Sequence, residues 1–552
     1  APFWVVFLAI GQGLFHDPIL TGKLLGAIFL FLTGYYSFRL LRTVGNDYGS
    51  SLLGGLLIVT ASQLAWSELS GLESTLSTSL VIGALWWRFA NPHGWRRSIT
   101  GAIFALATLT RPETALIFAL VILDSYFEHR RDRKNGFADE HFFRDTGLSV
   151  LAFIIVLAPI AITNIALSGA IVPETFYAGL SNHSAIILIR HGYVSEALQR
   201  VISSLSGIWY AIKAIYIPEN PLWIFTIITA LYARWKNSLV RRDRSDDLFN
   251  LSLLILLVFP YLRSLAIGVD DSFGDYGRWT HFVLPIYALA GIMSIRIIVR
   301  CLLFRKLSPK QMVLGTMIAV LVSGYVYFAI RPESALSFAT VPPLVDYILL
   351  LFFAGVLLLA GLRHAELPFL KREISHFVTE AERNRFQIKM IENEDGDERL
   401  PAPAVKVLHA VLLILLAWNL TELPRAANDF GEDVRINTSH EKLARTIATV
   451  TLPTDVIATN SIGAIGWFAE RRVIDISGHL TKEPTYNERI LGPDRGLLQT
   501  LAETRPQYLA IFGEDYSAPI AFGMKAGFLQ QQYISSAPEA ALFRVLSPQI
   551  SK

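Results

Sequence analysis

The chain has 552 residues, of which 52% are hydrophobic and 17% are charged, and its mean hydropathy is +0.43. Soluble domains carry roughly 25% charged residues, so this composition argues against a soluble protein and predicts an integral membrane protein. The single cysteine, Cys301, excludes an intrachain disulfide. The net charge of +3 says little about partners, because acidic and basic residues are segregated by loop.

Apolar segments follow one another from the N-terminus to Leu420. A membrane-spanning helix needs about 20 such residues, and we predict a polytopic α-helical membrane protein with about twelve spans. A short apolar stretch, Pro2–Phe15, precedes them and is predicted to lie partly in the interface. The predicted spans are 23–41, 51–66, 74–87, 99–109, 114–126, 146–165, 222–235, 248–262, 282–299, 312–330, 344–362 and 405–420.

Clusters of basic residues all fall on one side of this succession of spans, and such clusters mark cytoplasmic loops. They lie at Arg42, Arg96, Arg97, 130–134, 241–244 and 300–306. Loops 166–220 and 268–280 and the C-terminal residues are then predicted to lie outside. Loop 363–404 is assigned to the cytoplasm by its place in the succession of spans, because its mixed charges indicate neither side of the membrane. The same parity places Ala1 outside, so we expect a further N-terminal span to be missing from this chain.

Residues 422–552 have a different, turn-rich and moderately polar sequence. Short apolar runs predict four strands, at 456–459, 473–476, 508–512 and 541–545, and helical periodicity predicts helices at 441–448 and 497–503. We therefore predict a multi-span domain over residues 1–421 and a small extracytoplasmic α/β domain over residues 422–552.

A polar group interrupts the apolar region at a helix start and a hairpin tip. Glu73 precedes one apolar segment, and Arg111 and Glu113 flank Pro112 between two short apolar arms. If these segments span, all three charges reach the outer face, where each must contact water, protein or a ligand. The short arms predict a tip below the membrane surface, in a cavity. Arg111 is a candidate phosphate ligand because its guanidinium is a fixed, always charged fork.

Plainer interpretations of these three residues stay open. Glu73 is also suited to a helix N-terminus, where the helix dipole stabilises an acid. Arg111 would equally serve as an interfacial anchor, and Glu113 would merely pair with it. We favour a functional carboxylate at Glu73, because Ser70 and Gly71 already mark the helix start.

The predicted outer loop 268–280 and its flank carry a second polar group, Asp270, Asp271, Asp275, Arg278 and His281. As part of a solvated loop these residues need no function. Their spacing would also suit a divalent cation or an acceptor sugar, although they match no recognised metal motif. The sequence therefore indicates no certain cofactor and leaves a divalent cation open. In the loop 166–220, Phe176, Tyr177 and His183 would line a sugar or lipid groove or form an interfacial belt.

Several short motifs occur in an order that resembles a known family. They are Gly71-Leu72-Glu73, Thr110-Arg111-Pro112-Glu113, Pro173-Glu174-Thr175-Phe176-Tyr177-Ala178, Gly277-Arg278-Trp279 ahead of Pro285, Gly463-Ala464-Ile465-Gly466-Trp467 and Val473-Ile474-Asp475. Over nearly its whole length the chain resembles bacterial polytopic glycosyltransferases of the GT-C fold that use polyprenyl-phosphate sugars. Its layout is similar to that of terminal arabinofuranosyltransferases. Each motif is short, so the order carries the resemblance.

The resemblance implies a hexosyl- or pentosyltransferase of the bacterial cytoplasmic (inner) membrane. Its donor would be a polyprenyl-phosphate-linked sugar, and its acceptor an envelope glycan, lipid or protein. In this family the catalytic aspartates lie in the first outer loop, and no residue here matches them, so the main base is expected upstream of Ala1. Glu73 and Asp275 are the candidate catalytic residues within the chain. The implied substrate-binding residues are Arg111, Glu113, Glu174, Tyr177, Asp270, Asp271, Arg278 and His281.

A polytopic transporter or flippase of a lipid-linked or envelope substrate is the main alternative, since it would share the many spans and buried charges. Such a protein is expected to show internal repeats with matching broken helices, and the sequence shows no convincing repeat. A non-catalytic envelope scaffold also stays open. The sequence has no Walker loop, dinucleotide fingerprint or zinc spacing, and we predict no nucleic-acid partner.

Overall fold

The computed structural model describes residues 2–61, 64–65, 73–91, 94–134, 141–168, 194–212, 216, 220–236, 244–267, 282–304, 402–476, 493–512, 516–534 and 540–546. The chain divides into two compact units, residues 1–158 with 199–426 and residues 159–198 with 427–552. Each unit has its own hydrophobic core. The predicted boundary at residues 421/422 stays a prediction.

Most described residues are helical. The helices are α1 Pro2–Phe15, α2 Pro18–Thr43, α3 Tyr48–Val59, α4 Ser74–Ala90, α5 Ser98–Thr110, α6 Thr114–Lys134, α7 Phe142–Ser168, α8 Val194–Ser203, α9 Ser206–Ala211, α10 Pro221–Lys236, α11 Arg244–Ile267, α12 Val283–Phe304, α13 Ala402–Val450, α14 Ile462–Phe468, α15 Pro493–Thr504 and α16 Ser517–Lys525. The strands are β1 Val456–Thr459, β2 Arg472–Asp475, β3 Tyr508–Phe512, β4 Leu529–Ile534 and β5 Ala540–Val545.

Four helices of the described residues are long and apolar enough to cross a membrane. They are Leu20–Thr43, Phe142–Ala166, Arg244–Leu265 and Val283–Arg300. Together with the composition, these helices indicate a helical membrane protein. The predicted total of about twelve spans stays a prediction, and the spans at 312–330 and 344–362 lie outside the described residues.

Two of these helices have opposite environments. The spanning window of α12 is wholly buried, whereas Leu151, Ile154 and Ile155 of α7 are exposed. In the core, Gly291 of α12 lies against the Trp223 ring of α10, and a Cβ atom at that glycine would overlap the ring. Glycine therefore allows α10 and α12 to approach closely, and the exposed apolar side of α7 is suited to lipid.

Two predicted spans differ from the helices in the structure. Among the described residues of the segment predicted as a span at 51–66, α3, Tyr48–Val59, is 12 residues long, and Leu64 and Ala65 are helical beyond it. The segments predicted as separate helices at 405–420 and 441–448 belong to one helix of 49 residues, α13. Few apolar positions lie between them, so no hydrophobic periodicity marks the helix there.

The second unit contains a five-stranded sheet in the order β2-β1-β3-β5-β4. β1 is parallel to β2 and β3, whereas β5 is antiparallel to β3 and β4. Alternate residues face two cores: Ile457 packs with Leu443 of α13 on one side, and Leu509 packs with Leu497 and Leu501 of α15 on the other. Helices therefore cover both faces, as an α/β sheet requires.

His440 of α13 packs against this sheet. Its ring centroid lies 3.9 Å from that of Phe512, and its Nδ1 lies 3.3 Å from the Ser461 hydroxyl. Burial lowers the pKa of His440 below its ordinary value of 6.5. Protonation therefore favours the unfolded chain. The stability that neutral His440 contributes is present above pH 6.5 and is lost as the pH falls through the lower folded-state pKa.

We expect acidification from pH 7.5 to pH 5 to destabilise this unit in part through His440. The replacement His440→Gln removes the titration, so its midpoint of unfolding should fall less over this range than that of the wild type. Thermal unfolding of both proteins at the two pH values measures the difference. An equal loss in both would mean that His440 titrates with its unfolded-state pKa.

Candidate functional site

The hairpin between α5 and α6 turns over three residues. Arg111 has an extended backbone, φ −141° and ψ 113°, as expected for a residue that precedes proline. Its N–H donates to the Ala107 carbonyl at 2.7 Å, and the Thr114 hydroxyl donates to the Arg111 carbonyl at 2.9 Å. The turn places Pro112 in an exposed position and buries Arg111, which is 3% exposed. A cation is therefore held inside the helix packing, where it requires an anionic partner.

Glu73 supplies an anionic partner. It occupies the N-cap position of α4, but its side chain makes no capping hydrogen bond. Instead, Arg111 Nη2 donates to Glu73 Oε1 at 2.8 Å. The structure thus brings together two residues that are 38 positions apart in the sequence.

Arg263 is a further member of the site that the sequence interpretation missed. It lies in the last turns of α11, is 2% exposed, and its Nη1 lies 3.5 Å from Glu113 Oε1. Arg111 is close enough to Arg263 for the two guanidinium groups to repel each other. The available signal was an arginine at the end of an apolar segment, on the side predicted to be outside.

The two ion pairs form one charge-balanced group, which we call the outer cluster: Glu73, Arg111, Glu113 and Arg263. The arginine side chains are 4% and 2% exposed, whereas the carboxylate side chains, of Glu73 and Glu113, are 23% and 13% exposed. The carboxylates are therefore the more accessible members of both pairs. An anion that reaches the guanidinium groups must compete with them.

The first two turns of α4, directly after Glu73, carry buried hydroxyl groups. Thr78 donates to the Ser74 carbonyl at 2.7 Å, and Ser79 donates to the Leu76 carbonyl at 3.0 Å. The Ser77 hydroxyl is buried and has no hydrogen-bond partner among the described residues. This run was also not singled out from the sequence, because serine and threonine at a helix start usually indicate a cap.

A second set of ion pairs joins the other ends of these helices. The pairs are Arg88–Asp124 at 2.8 Å, Arg300–Asp246 at 2.7 Å and Arg131–Asp247 at 3.1 Å. Asp246 and Arg263 lie 17 residues apart on α11, or about 25 Å along a helix. The basic residues interpreted from the sequence as topology signals thus also hold helices together, at the end predicted to be cytoplasmic.

The remaining candidate site residues lie outside the described residues. They are Glu174, Phe176, Tyr177, His183, Asp270, Asp271, Asp275, Arg278 and His281. Within the described ranges, no group of three or more His, Cys, Asp or Glu residues is placed to hold a metal ion. The roles predicted for the two outer loops, including a divalent cation, stay predictions.

The chain is similar to a family model and to a solved structure. A family model described as a domain of unknown function (DUF8728) matches residues 430–543. The chain is also similar to ArnT from Cupriavidus metallidurans, in a crystal structure bound to undecaprenyl phosphate, with 13% sequence identity and a TM-score of 0.48. That similarity covers 99% of this chain and 88% of the other. The search of curated proteins found no match. The outer cluster is therefore interpreted from its own chemistry.

Proposed function

We propose that the protein is a glycosyltransferase that moves a hexosyl or pentosyl group from a polyprenyl-phosphate donor. The acceptor is an envelope glycan, lipid or protein at the outer face of the bacterial cytoplasmic membrane. The observation that supports this proposal is the outer cluster, in which two buried arginines lie at the ends of apolar helices. A lipid phosphate places its charge at the membrane edge and its chain in the bilayer, so it suits such a position.

The chemistry of the donor also favours a lipid phosphate. The outer face of the membrane has no nucleotide sugars, so a transferase there requires a lipid-linked donor. Guanidinium groups bind phosphate oxygens through two parallel N–H donors, and this geometry is retained in a dry site. Arg111 and Arg263 are the residues that we assign to the donor phosphate.

The reaction is a displacement at the anomeric carbon. The acceptor oxygen forms the new bond to that carbon while the bond to the phosphate oxygen breaks, and the lipid phosphate leaves with the electron pair. A carboxylate accepts the proton of the acceptor hydroxyl, and the guanidinium groups stabilise the negative charge on the leaving phosphate. Glu73 and Asp275 are the two candidates for this base within the chain.

The two outer loops supply the acceptor side in this proposal. The residues assigned to substrate binding are Glu174, Tyr177, Asp270, Asp271, Arg278 and His281. The α/β region that includes the five-stranded sheet is assigned to the outer side of the membrane, as residues 422–552. These assignments follow from the loop positions in the predicted topology.

Binding of a short polyprenyl phosphate tests the donor site. The full chain in phosphatidylcholine nanodiscs is titrated calorimetrically with farnesyl phosphate, with farnesol and with inorganic phosphate. We expect farnesyl phosphate to bind at least ten times more tightly than either control, because it alone offers both the lipid and the anion. No binding of farnesyl phosphate, or equal binding of farnesol, would contradict the proposal.

The alternative function is a flippase of a lipid-linked sugar, which the charge-balanced cluster within apolar helices would also suit. The two functions differ in their products. A transferase releases free polyprenyl phosphate from a radiolabelled polyprenyl-phosphate sugar when acceptor is present. A flippase moves the intact lipid across the bilayer of a proteoliposome and releases no free polyprenyl phosphate.

A further inference from the structure

We propose that Glu73 is a placeholder counterion. Its carboxylate pairs with the guanidinium of Arg111 when no ligand is bound. The carboxylate must leave that contact for a lipid phosphate to bind there. The inference rests on the proposed function, because it concerns the same phosphate site. It assigns Glu73 to positioning and regulation rather than to proton transfer.

The charge balance of the outer cluster bears on whether a phosphate can bind while both carboxylates stay in place. Among the described residues, the two arginines and two glutamates of the outer cluster sum to zero, so these four side chains carry no excess positive charge to attract an anion. The sugar donor is a phosphodiester with one negative charge, and the phosphate monoester that it releases carries between one and two at neutral pH. Adding either of them to the intact cluster would bury excess negative charge, which is unfavourable in a partly desolvated site. Phosphate binding therefore requires one carboxylate to withdraw.

The geometry indicates which carboxylate withdraws. Within the described part of the chain, the contact of the Glu73 carboxylate is with Arg111, at 2.8 Å, and no capping bond ties Glu73 to its own helix. Glu113 lies within the hairpin turn itself, and its side chain is the less exposed of the two carboxylates, at 13% against 23% for Glu73. Glu73 also lies on a separate helix from Arg111, so its side chain can leave without a change in the hairpin.

The accessibility of the pair supports the same assignment. The Glu73 side chain is 23% exposed, whereas that of Arg111 is 4% exposed. The carboxylate can thus exchange its contact with arginine for water, but the guanidinium cannot. Arg111 then exchanges one oxyanion for another, and neither state leaves a buried cation unpaired. The placeholder accordingly stabilises the unliganded protein and weakens phosphate binding.

The test measures farnesyl phosphate binding to the full chain in nanodiscs for the wild type and for Glu73→Gln. The glutamine retains the shape and one acceptor oxygen but removes the competing charge. We expect about tenfold tighter binding, since the phosphate no longer has to displace a charge-assisted contact from Arg111. The matched control is Glu128→Gln. Glu128 lies 3.3 Å from Arg88, the arginine that also pairs with Asp124 at the other end of α4, and its replacement should leave binding unchanged.

The outcomes separate this inference from the proposed function. If the wild type binds farnesyl phosphate and Glu73→Gln binds it equally or more weakly, the placeholder role is wrong while the donor site stands. If neither the wild type nor a folded Glu73→Gln binds it, the proposed function and the inference both fail. Should Glu73→Gln fail to fold by size-exclusion chromatography, Glu73→Asp decides instead. Its shorter side chain weakens the pair, so tighter binding supports the inference and equal or weaker binding overturns it.

Discussion

Replacing Arg111 with alanine is expected to lower donor turnover by a factor of about 30 to 1,000, or roughly 2–4 kcal/mol. Arg111 is 3% exposed, so its contact with an anion is made away from bulk water. A contact with the leaving phosphate strengthens as negative charge develops in the transition state. Its loss should therefore reduce kcat as well as kcat/KM.

The replacement Arg111→Lys separates charge from geometry. It retains a positive charge but loses the planar fork, so we expect a substantial loss of turnover that is smaller than in Arg111→Ala. Initial rates of release of polyprenyl phosphate from a radiolabelled donor measure the turnover of both variants. The matched control is Arg88→Ala, which removes a buried arginine at the other end of α4 and should leave donor affinity unchanged. Wild-type affinity and turnover in Arg111→Ala would show that Arg111 is an interfacial anchor.

Replacing Asp246 with alanine is expected to cost about 3–5 kcal/mol of stability, because it leaves the Arg300 cation buried without this carboxylate. The two side chains form an ion pair of 2.7 Å between α11 and α12 and are 3% and 6% exposed. The penalty for an uncompensated buried charge exceeds the net contribution of the pair itself. Function at the outer cluster should be retained by the molecules that stay folded, since Asp246 lies at the other end of α11.

Thermal unfolding in detergent measures this effect. The matched control is Glu441→Ala, which removes the i,i+4 ion pair with Arg445, where the two side chains are 35% and 64% exposed. Such exposed helix pairs contribute about 0.3–0.5 kcal/mol, so the control should unfold close to the wild type. A small shift for Asp246→Ala, similar to that of Glu441→Ala, would mean that Arg300 is satisfied without it.

The sequence predicted features whose signal lies in neighbouring residues. The bounds predicted for β1 and β3 are those found, because short apolar runs with β-branched and aromatic residues mark buried strands. β4 was missed because Gln530 and Gln531 give an edge strand with little apolar alternation. The sequence also predicted that Glu73 and Arg111 reach the same face, but the pairing that it suggested was Arg111 with Glu113, whereas the structure pairs Arg111 with Glu73.

Only the tertiary structure paired Glu113 with Arg263 and placed the carboxylates on the accessible side of the outer cluster. Glu113 and Arg263 are separated by 150 positions in the sequence, and no local periodicity relates them. Their contact depends on which face of α11 packs against the hairpin, and that is decided by the side-chain packing of several helices together. The sequence by itself therefore determined which charges enter the apolar region. Helix packing decided which of these charges form ion pairs, because pairing depends on the distance between two side chains in space and not on their separation in sequence.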